Sequence, residues 1–304
     1  MRERYRNPLL IALALLVPAA VLAQEGGLRY SITVTKFENR AGWRGHWDIG
    51  DAWDTVLTDM LTQSGKFIVL GESDMRGAAM DEQDFAASGR TAGGNKAPVT
   101  GQMTPAQLLV KGTITHVQDK TKSGSGAVRI RGIKIGGKGG QGEVNATIYV
   151  VDSTTGQVLA SSNVVGKSKE TGVAVGYNTG GWGAAFAGEK SDNVGLAVQA
   201  ACARAVEFII SQLPGVQWSG SVVLVKGDKV YVNRGSREGV ALGQTFTVGE
   251  VEVLRDPDTG EVLDESMTEI AKLKVDEVKE KVSICSVTSG NAESLAKGMT
   301  IHSP

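Results

Sequence analysis

Two glycine-rich segments of alternating character constrain this chain more than anything else in it. The first, Lys122 to Gly142, reads KSGSGAVRIRGIKIGGKGGQG, and the second, Thr171 to Lys190, reads TGVAVGYNTGGWGAAFAGEK. They flank an ordinary hairpin, ATIYVVDSTTGQVLASSNVV. Each is too polar for a core strand and too regular in its alternation for a linker. Such segments suit hairpins that meet a bilayer on one face only. A chain that supplies a few strands per copy needs several copies to close a barrel, because an open sheet edge cannot stand in lipid.

In the second segment Val173, Val175 and Tyr177 alternate with Ala174, Gly176 and Asn178. Past Thr179-Gly180-Gly181, Trp182, Ala184 and Phe186 alternate with Gly183, Ala185 and Ala187. One face is apolar, with aromatic residues near the turn, as a lipid-facing hairpin requires, and the other face is tiny. In the first, Val128 and Ile130 alternate with Arg129 and Arg131, and the register shifts at Gly132, where Ile133 and Ile135 flank Lys134. The segment is basic, with no acidic residue. A charge at mid-bilayer on the lipid face costs about 2–4 kcal/mol, so Arg129, Arg131 and Lys134 are expected at a lumen or rim. The competing reading is a soluble hairpin arm or a mobile loop, since glycine at this density weakens a sheet.

The chain opens with a secretion signal. Arg2, Arg4 and Arg6 precede an apolar run from Pro8 to Ala23, with cleavage expected after Ala23. Gln24 follows, so no lipidated cysteine is expected there. The full chain has 32 Lys+Arg and 33 Asp+Glu; removing Arg2, Glu3, Arg4 and Arg6 leaves 29 against 32, a net charge of −3. That balance points away from nucleic acid. No later run reads as a membrane-spanning helix, so contact with lipid falls to strands.

The remainder reads as α/β followed by all-β. Tyr30 to Phe37 alternates as a strand, and Asn39 to Gly50 reads as a loop. Trp53, Val56, Leu57, Met60 and Leu61 share one helical face, with Asp51 as N-cap and Gly65 as stop. Phe67 to Leu70 reads as a buried strand, Glu72 to Ala87 as a helix, Gly89 to Pro98 as a flexible loop and Gln107 to Val117 as a strand. Glu143 to Asp152 and Gln157 to Val165 form a hairpin over Thr154-Thr155-Gly156. Asp192 to Leu213 is a long helix whose stripe is Val194, Val198, Ala201, Ala205, Phe208 and Ile209. From Ser219 short strands recur, as in a small barrel or sandwich with 10 Lys+Arg against 14 Asp+Glu. The expected division is a signal peptide at 1–23, an α/β unit with packed helices at 24–217 and an all-β unit at 218–304.

Few residues suggest chemistry. Gly137 to Gly142 spells G-x-G-x-x-G, but a strand pattern follows where a helix is required. Gly166-Lys167-Ser168 lacks the first phosphate-loop glycine, and Asp256, Asp258 and Gly260 fit a β-turn better than a calcium loop. His46, His116 and His302 have no metal-ligand spacing. With no nucleophile–base–acid arrangement, neither an enzyme nor a cofactor is expected. Secretion permits a Cys202–Cys285 disulfide, and spacing alone leaves that pairing open.

From Ile32 to Leu213 the residues resemble the CsgG family, the curli secretion channel subunit of the bacterial outer membrane. The resemblance runs through ITVTKFENRAG, KFIVLGESD, APVTGQMTPAQ, LLVKGTITHV and IYVVDSTTGQVLASSNVVGKS, then the long helix. It implies a periplasmic α/β fold with two inserted hairpins, at 121–142 and 171–190. These pool into one barrel in a nonamer-like homo-oligomeric ring. It also implies outer-membrane lipid, an exported protein and accessory envelope proteins as partners. In such channels a loop after the first strand narrows the pore. Here that place holds Trp43, Arg44, His46 and Trp47, without the family's Tyr/Asn/Phe pattern. The alternative for both tryptophans is packing against the neighbouring domain. The stretches VYVNRGSREGVALGQTFTV and DPDTGEVL resemble the C-terminal domain of the flagellar assembly protein FlgT, from a periplasmic ring. Two functions follow: a ring-forming outer-membrane secretion channel, or a soluble periplasmic scaffold that forms or braces a ring.

Overall fold

The computed structural model describes residues 27–45, 47–94, 97–120, 128–130, 133–135, 141–168 and 193–303. The expected signal peptide at 1–23 lies outside them. Strands β1 (Tyr30–Val34), β2 (Glu38–Asn39), β3 (Phe67–Val69), β4 (Leu108–Lys120), β7 (Gln141–Asp152) and β8 (Val158–Lys167) form one mixed six-stranded sheet. Its order is β3-β1-β4-β7-β8, with β2 beside β4. β1 runs parallel to β3 and β4, whereas β4, β7 and β8 are antiparallel neighbours. A separate ladder pairs β5 (Val128–Ile130) with β6 (Ile133–Ile135).

Helices α1 (Ile49–Ser64) and α3 (Asn193–Gln212) cover the sheet and pack on each other. Their apolar stripes are the cause. Trp53, Val56, Leu57, Met60 and Leu61 are all buried, and in β7 Val144, Ala146, Ile148 and Val150 alternate into the same core. Gly65 ends α1 in the left-handed region at φ 63°, which favours a residue without a Cβ.

The helix cap differs from the sequence expectation. Asp48, not Asp51, caps α1, and its carboxylate accepts from the Asp51 N–H at 3.0 Å. Asp51 lies in the first turn, where a negative charge also suits the helix dipole. β3 is an edge strand in which only Phe67 is buried, because nothing pairs beyond it among the described residues. Helix α2 (Ser73–Ala87) buries no residue, so two helices rather than three make the packed layer. Phe208 is only half-buried. By length and mean hydropathy (1.5), 193–215 could cross a bilayer, which the sequence reading had not recognised. The stretch is instead the core helix, with Ala197, Ala201, Cys202 and Ala205 wholly enclosed.

Past a short turn at Leu213–Gly215, six antiparallel strands close on themselves. They are β9 (Ser219–Lys226), β10 (Lys229–Val232), β11 (Thr245–Arg255), β12 (Val262–Val278), β13 (Ser283–Gly290) and β14 (Thr300–His302), in the order β10-β13-β12-β11-β14-β9. Trp218 stacks on Phe246 at 5.2 Å inside this barrel. Among the described residues, hydrogen bonds tie the C-terminal part to the α/β part. Tyr30 Oη donates to the Val216 carbonyl (2.6 Å), the Arg29 N–H donates to the Glu238 carbonyl (2.9 Å), and the Arg237 guanidinium reaches the Thr104 hydroxyl (3.4 Å). Cys202 and Cys285 are both buried and free, one in each part.

Candidate functional site: the root of two glycine-rich insertions

β4, β7 and β8 place both insertions side by side. The register sets Lys120 opposite Gln141 and Glu143 opposite Lys167. The end of β4, the start of β7 and the end of β8 therefore lie together at one end of the sheet. The start of α3 joins them. Gly142 approaches so closely that a Cβ there would collide with the Asn193 carbonyl. The Gly142 N–H donates to the Ser168 hydroxyl at 2.9 Å in a buried setting. All four chain ends that lead into and out of 121–140 and 169–192 thus meet at one place.

Close helix–sheet packing fixes this root. A Cβ on Gly166 would run into the Ala197 carbonyl and the Ala201 N–H. Glycine on β8 lets the helix backbone settle against the strand. Glu143 and Lys167 flank the root with a partly exposed ion pair at 3.8 Å.

The loop from Arg40 to Asp48 lies toward the same end. β2 pairs in parallel with Thr113 and Ile114 of β4, and the Arg40 N–H continues the ladder to the Ile114 carbonyl at 2.9 Å. Trp43 and Trp47 lie against each other, with ring centroids 4.6 Å apart at 56°. Both are partly buried on the α/β core, and Trp47 shares a recess with Val56 of α1 and with Gly195 and Val198 of α3. Arg44 is exposed, and His46 lies outside the described residues.

The base of the loop is held by a buried carboxylate, Asp54, which from the sequence reads as a solvated helix position like Asp59. Asp54 Oδ1 accepts from the Phe37 N–H at 3.0 Å, and the Phe37 ring stacks on Trp53 at 5.2 Å. Burial pushes the Asp54 carboxyl up to about 7, while the bond from Phe37 opposes that shift. An acid three residues before Leu57 on an apolar helical face was the only signal in the sequence.

Of the expected hairpin residues, Val128, Arg129 and Ile130 lie on β5 and Lys134 on β6. Their register opposes Val128 with Ile135, Arg129 with Lys134 and Ile130 with Ile133. Arg131, Val173, Val175, Tyr177, Trp182, Ala184 and Phe186 lie outside the described residues. Among the described residues no group of three His, Cys, Asp or Glu side chains is placed to hold a metal ion. His302 instead bonds to Gln217, Nδ1 to Nε2 at 2.7 Å.

Residues 20–243 match the family model described as curli production assembly/transport component CsgG. No curated protein sequence matches significantly. Among solved structures, the PelC dodecamer from Paraburkholderia phytofirmans is 11% identical, covering 60% of this chain and 91% of its own (TM-score 0.31). The hypothetical protein CT253 from Chlamydia trachomatis is 13% identical, covering 62% and 96% (TM-score 0.33). Lipoprotein GNA1162 from Neisseria meningitidis is 17% identical, covering 62% and 99% (TM-score 0.26).

Proposed function

The chain belongs to the CsgG family of curli production assembly/transport components, and on that premise we propose that it is a subunit of a ring-forming outer-membrane secretion channel. The observation that carries the reading is the shared root of the two glycine-rich insertions. Hairpins that leave neighbouring strands at one end of a sheet are placed to contribute adjacent strands to a common barrel. In this reading Val128, Ile130, Val173, Val175, Tyr177, Trp182, Ala184 and Phe186 face lipid. The β5–β6 register supports it, since it pairs Val128 with Ile135, Ile130 with Ile133 and Arg129 with Lys134, apolar with apolar and basic with basic.

The Trp43–Trp47 loop, rooted at the same end, narrows the pore from inside the ring. The cargo is an unfolded or fibre-forming protein, and the channel does no covalent chemistry. Residues 24–217 make the channel unit, and the C-terminal barrel at 218–304 docks accessory envelope proteins, as its resemblance to FlgT suggests.

Electron microscopy of the mature protein, extracted from outer membranes in detergent, tests this. Rings bearing a detergent-coated barrel are expected, with Val173→Asp and Phe186→Asp losing membrane association and assembly. Bare rings or a water-soluble monomer, released from membranes by mild salt, would overturn the channel. The second function, a periplasmic scaffold, would then stand.

A further inference from the structure

A cleft of about 340 Å³ lies where the segment before β4 meets the barrel. Three cations line it, Arg234, Arg237 and Lys281, against one carboxylate, Glu238. Glu238 is already committed. It is buried, one oxygen accepts from the Gly235 N–H at 2.8 Å, and the other holds Arg237 through Nε (2.7 Å) and Nη2 (2.6 Å). That pair neutralises itself and leaves two positive charges in the cleft.

Arg234 is the more informative of the two. Its guanidinium lies over the Trp218 ring at 5.8 Å, and its hydrogen bonds go to neutral carbonyls, those of Ser219 (2.8 Å) and Asn233 (3.1 Å). No carboxylate pairs with it among the described residues. Burial pushes its pKa down, against the attraction of Glu238, so the charged form is held at a cost. A half-buried cation fixed by backbone carbonyls and an aromatic face is pre-organised for an anion. Lys281 is exposed at the mouth, with no ion pair among the described residues. Thr104 and Gln102 add neutral polar groups to the wall.

We propose that this cleft binds a phosphate monoester, its head seated between Arg234 and Lys281. The two uncompensated charges match a dianion, and a guanidinium fork beside an ammonium suits tetrahedral oxygens. The ester is carried either by a soluble metabolite or by a lipid. The site is independent of the membrane reading.

Calorimetry on the full mature protein at pH 7.5 and 150 mM NaCl tests it, with glycerol 3-phosphate and short-chain dihexanoyl phosphatidic acid as probes and succinate as a dianion control. Saturable binding of either ester is expected, and the tighter of the two identifies the source. Lys281→Gln, on the surface, weakens it at least fivefold with an unchanged melting temperature, and Arg234→Gln abolishes it. Binding that Lys281→Gln leaves intact, equal affinity for succinate, or no binding of either ester at millimolar concentration would overturn the assignment.

Discussion

Asp54 on α1 holds the backbone of Phe37 by a buried 3.0 Å hydrogen bond, and so ties the first long helix to the entry of the Trp43–Trp47 loop. The folded-state pKa of Asp54, about 7, lies above its ordinary value of 3.8 because burial penalises the charge. The folded protein therefore binds this proton more tightly than the unfolded chain. Its contribution to stability grows as pH falls from about 7 toward 4 and is smallest above 7. Glu72, also raised by burial, acts in the same direction, so the readout is the difference between variants. Asp54→Asn keeps a carbonyl acceptor for Phe37 and should flatten the dependence of melting temperature on pH between 5 and 8. Asp54→Ala strands the Phe37 N–H and should cost about 1–3 kcal/mol in chemical denaturation.

Gly166→Ala should destabilise the root of the insertions. The added methyl meets main-chain atoms of α3, which cannot rotate away as a side chain can. An overpacking cost of about 1–3 kcal/mol is expected in denaturant titration. Gly215→Ala, where a Cβ meets nothing within 4 Å, serves as the control.

Trp53 and Trp43 should separate stability from conduction. Trp53 is fully buried and stacked on Phe37, so Trp53→Ala should cost about 3–5 kcal/mol. Trp43 is only partly buried, and Trp43→Ala should leave assembly intact while raising single-channel conductance in planar bilayers. Unchanged conductance with intact assembly would remove Trp43 from the constriction.

Both thiols should be silent in the native state. Burial pushes Cys202 well above its ordinary value and Cys285 up to about 12, so little reactive thiolate forms at pH 8. Mass spectrometry after iodoacetamide treatment should find neither labelled until denaturant is added. Dithiothreitol should not shift the melting temperature, because no bond joins the two.

The helical face of Trp53 to Leu61, the alternation of β7 and the short strands past Ser219 were legible in the sequence because period alone reports which face is buried. So was the stop at Gly65, where left-handed backbone favours glycine. Local pattern misplaced the α1 cap, since Asp48 and Asp51 are both good caps and only the path of the chain out of β2 selects between them. It placed the helix at 193–212 and most of its buried stripe, although length and hydropathy alone do not separate a helix covered by lipid from one covered by a sheet. It took β3 for a buried strand where the structure makes it an edge, and it was silent on α2 as a helix with nothing buried, as neither property resides in the residues themselves.

The sequence by itself determined two alternating glycine-rich insertions, their charge contrast and the elements between them. Only the tertiary structure decided that the insertions spring from one root, that Asp54 anchors the loop beside them, and that Arg234 and Lys281 face one cleft. Each of these joins residues far apart in the chain, and their meeting depends on strand register and helix packing, which no local pattern encodes.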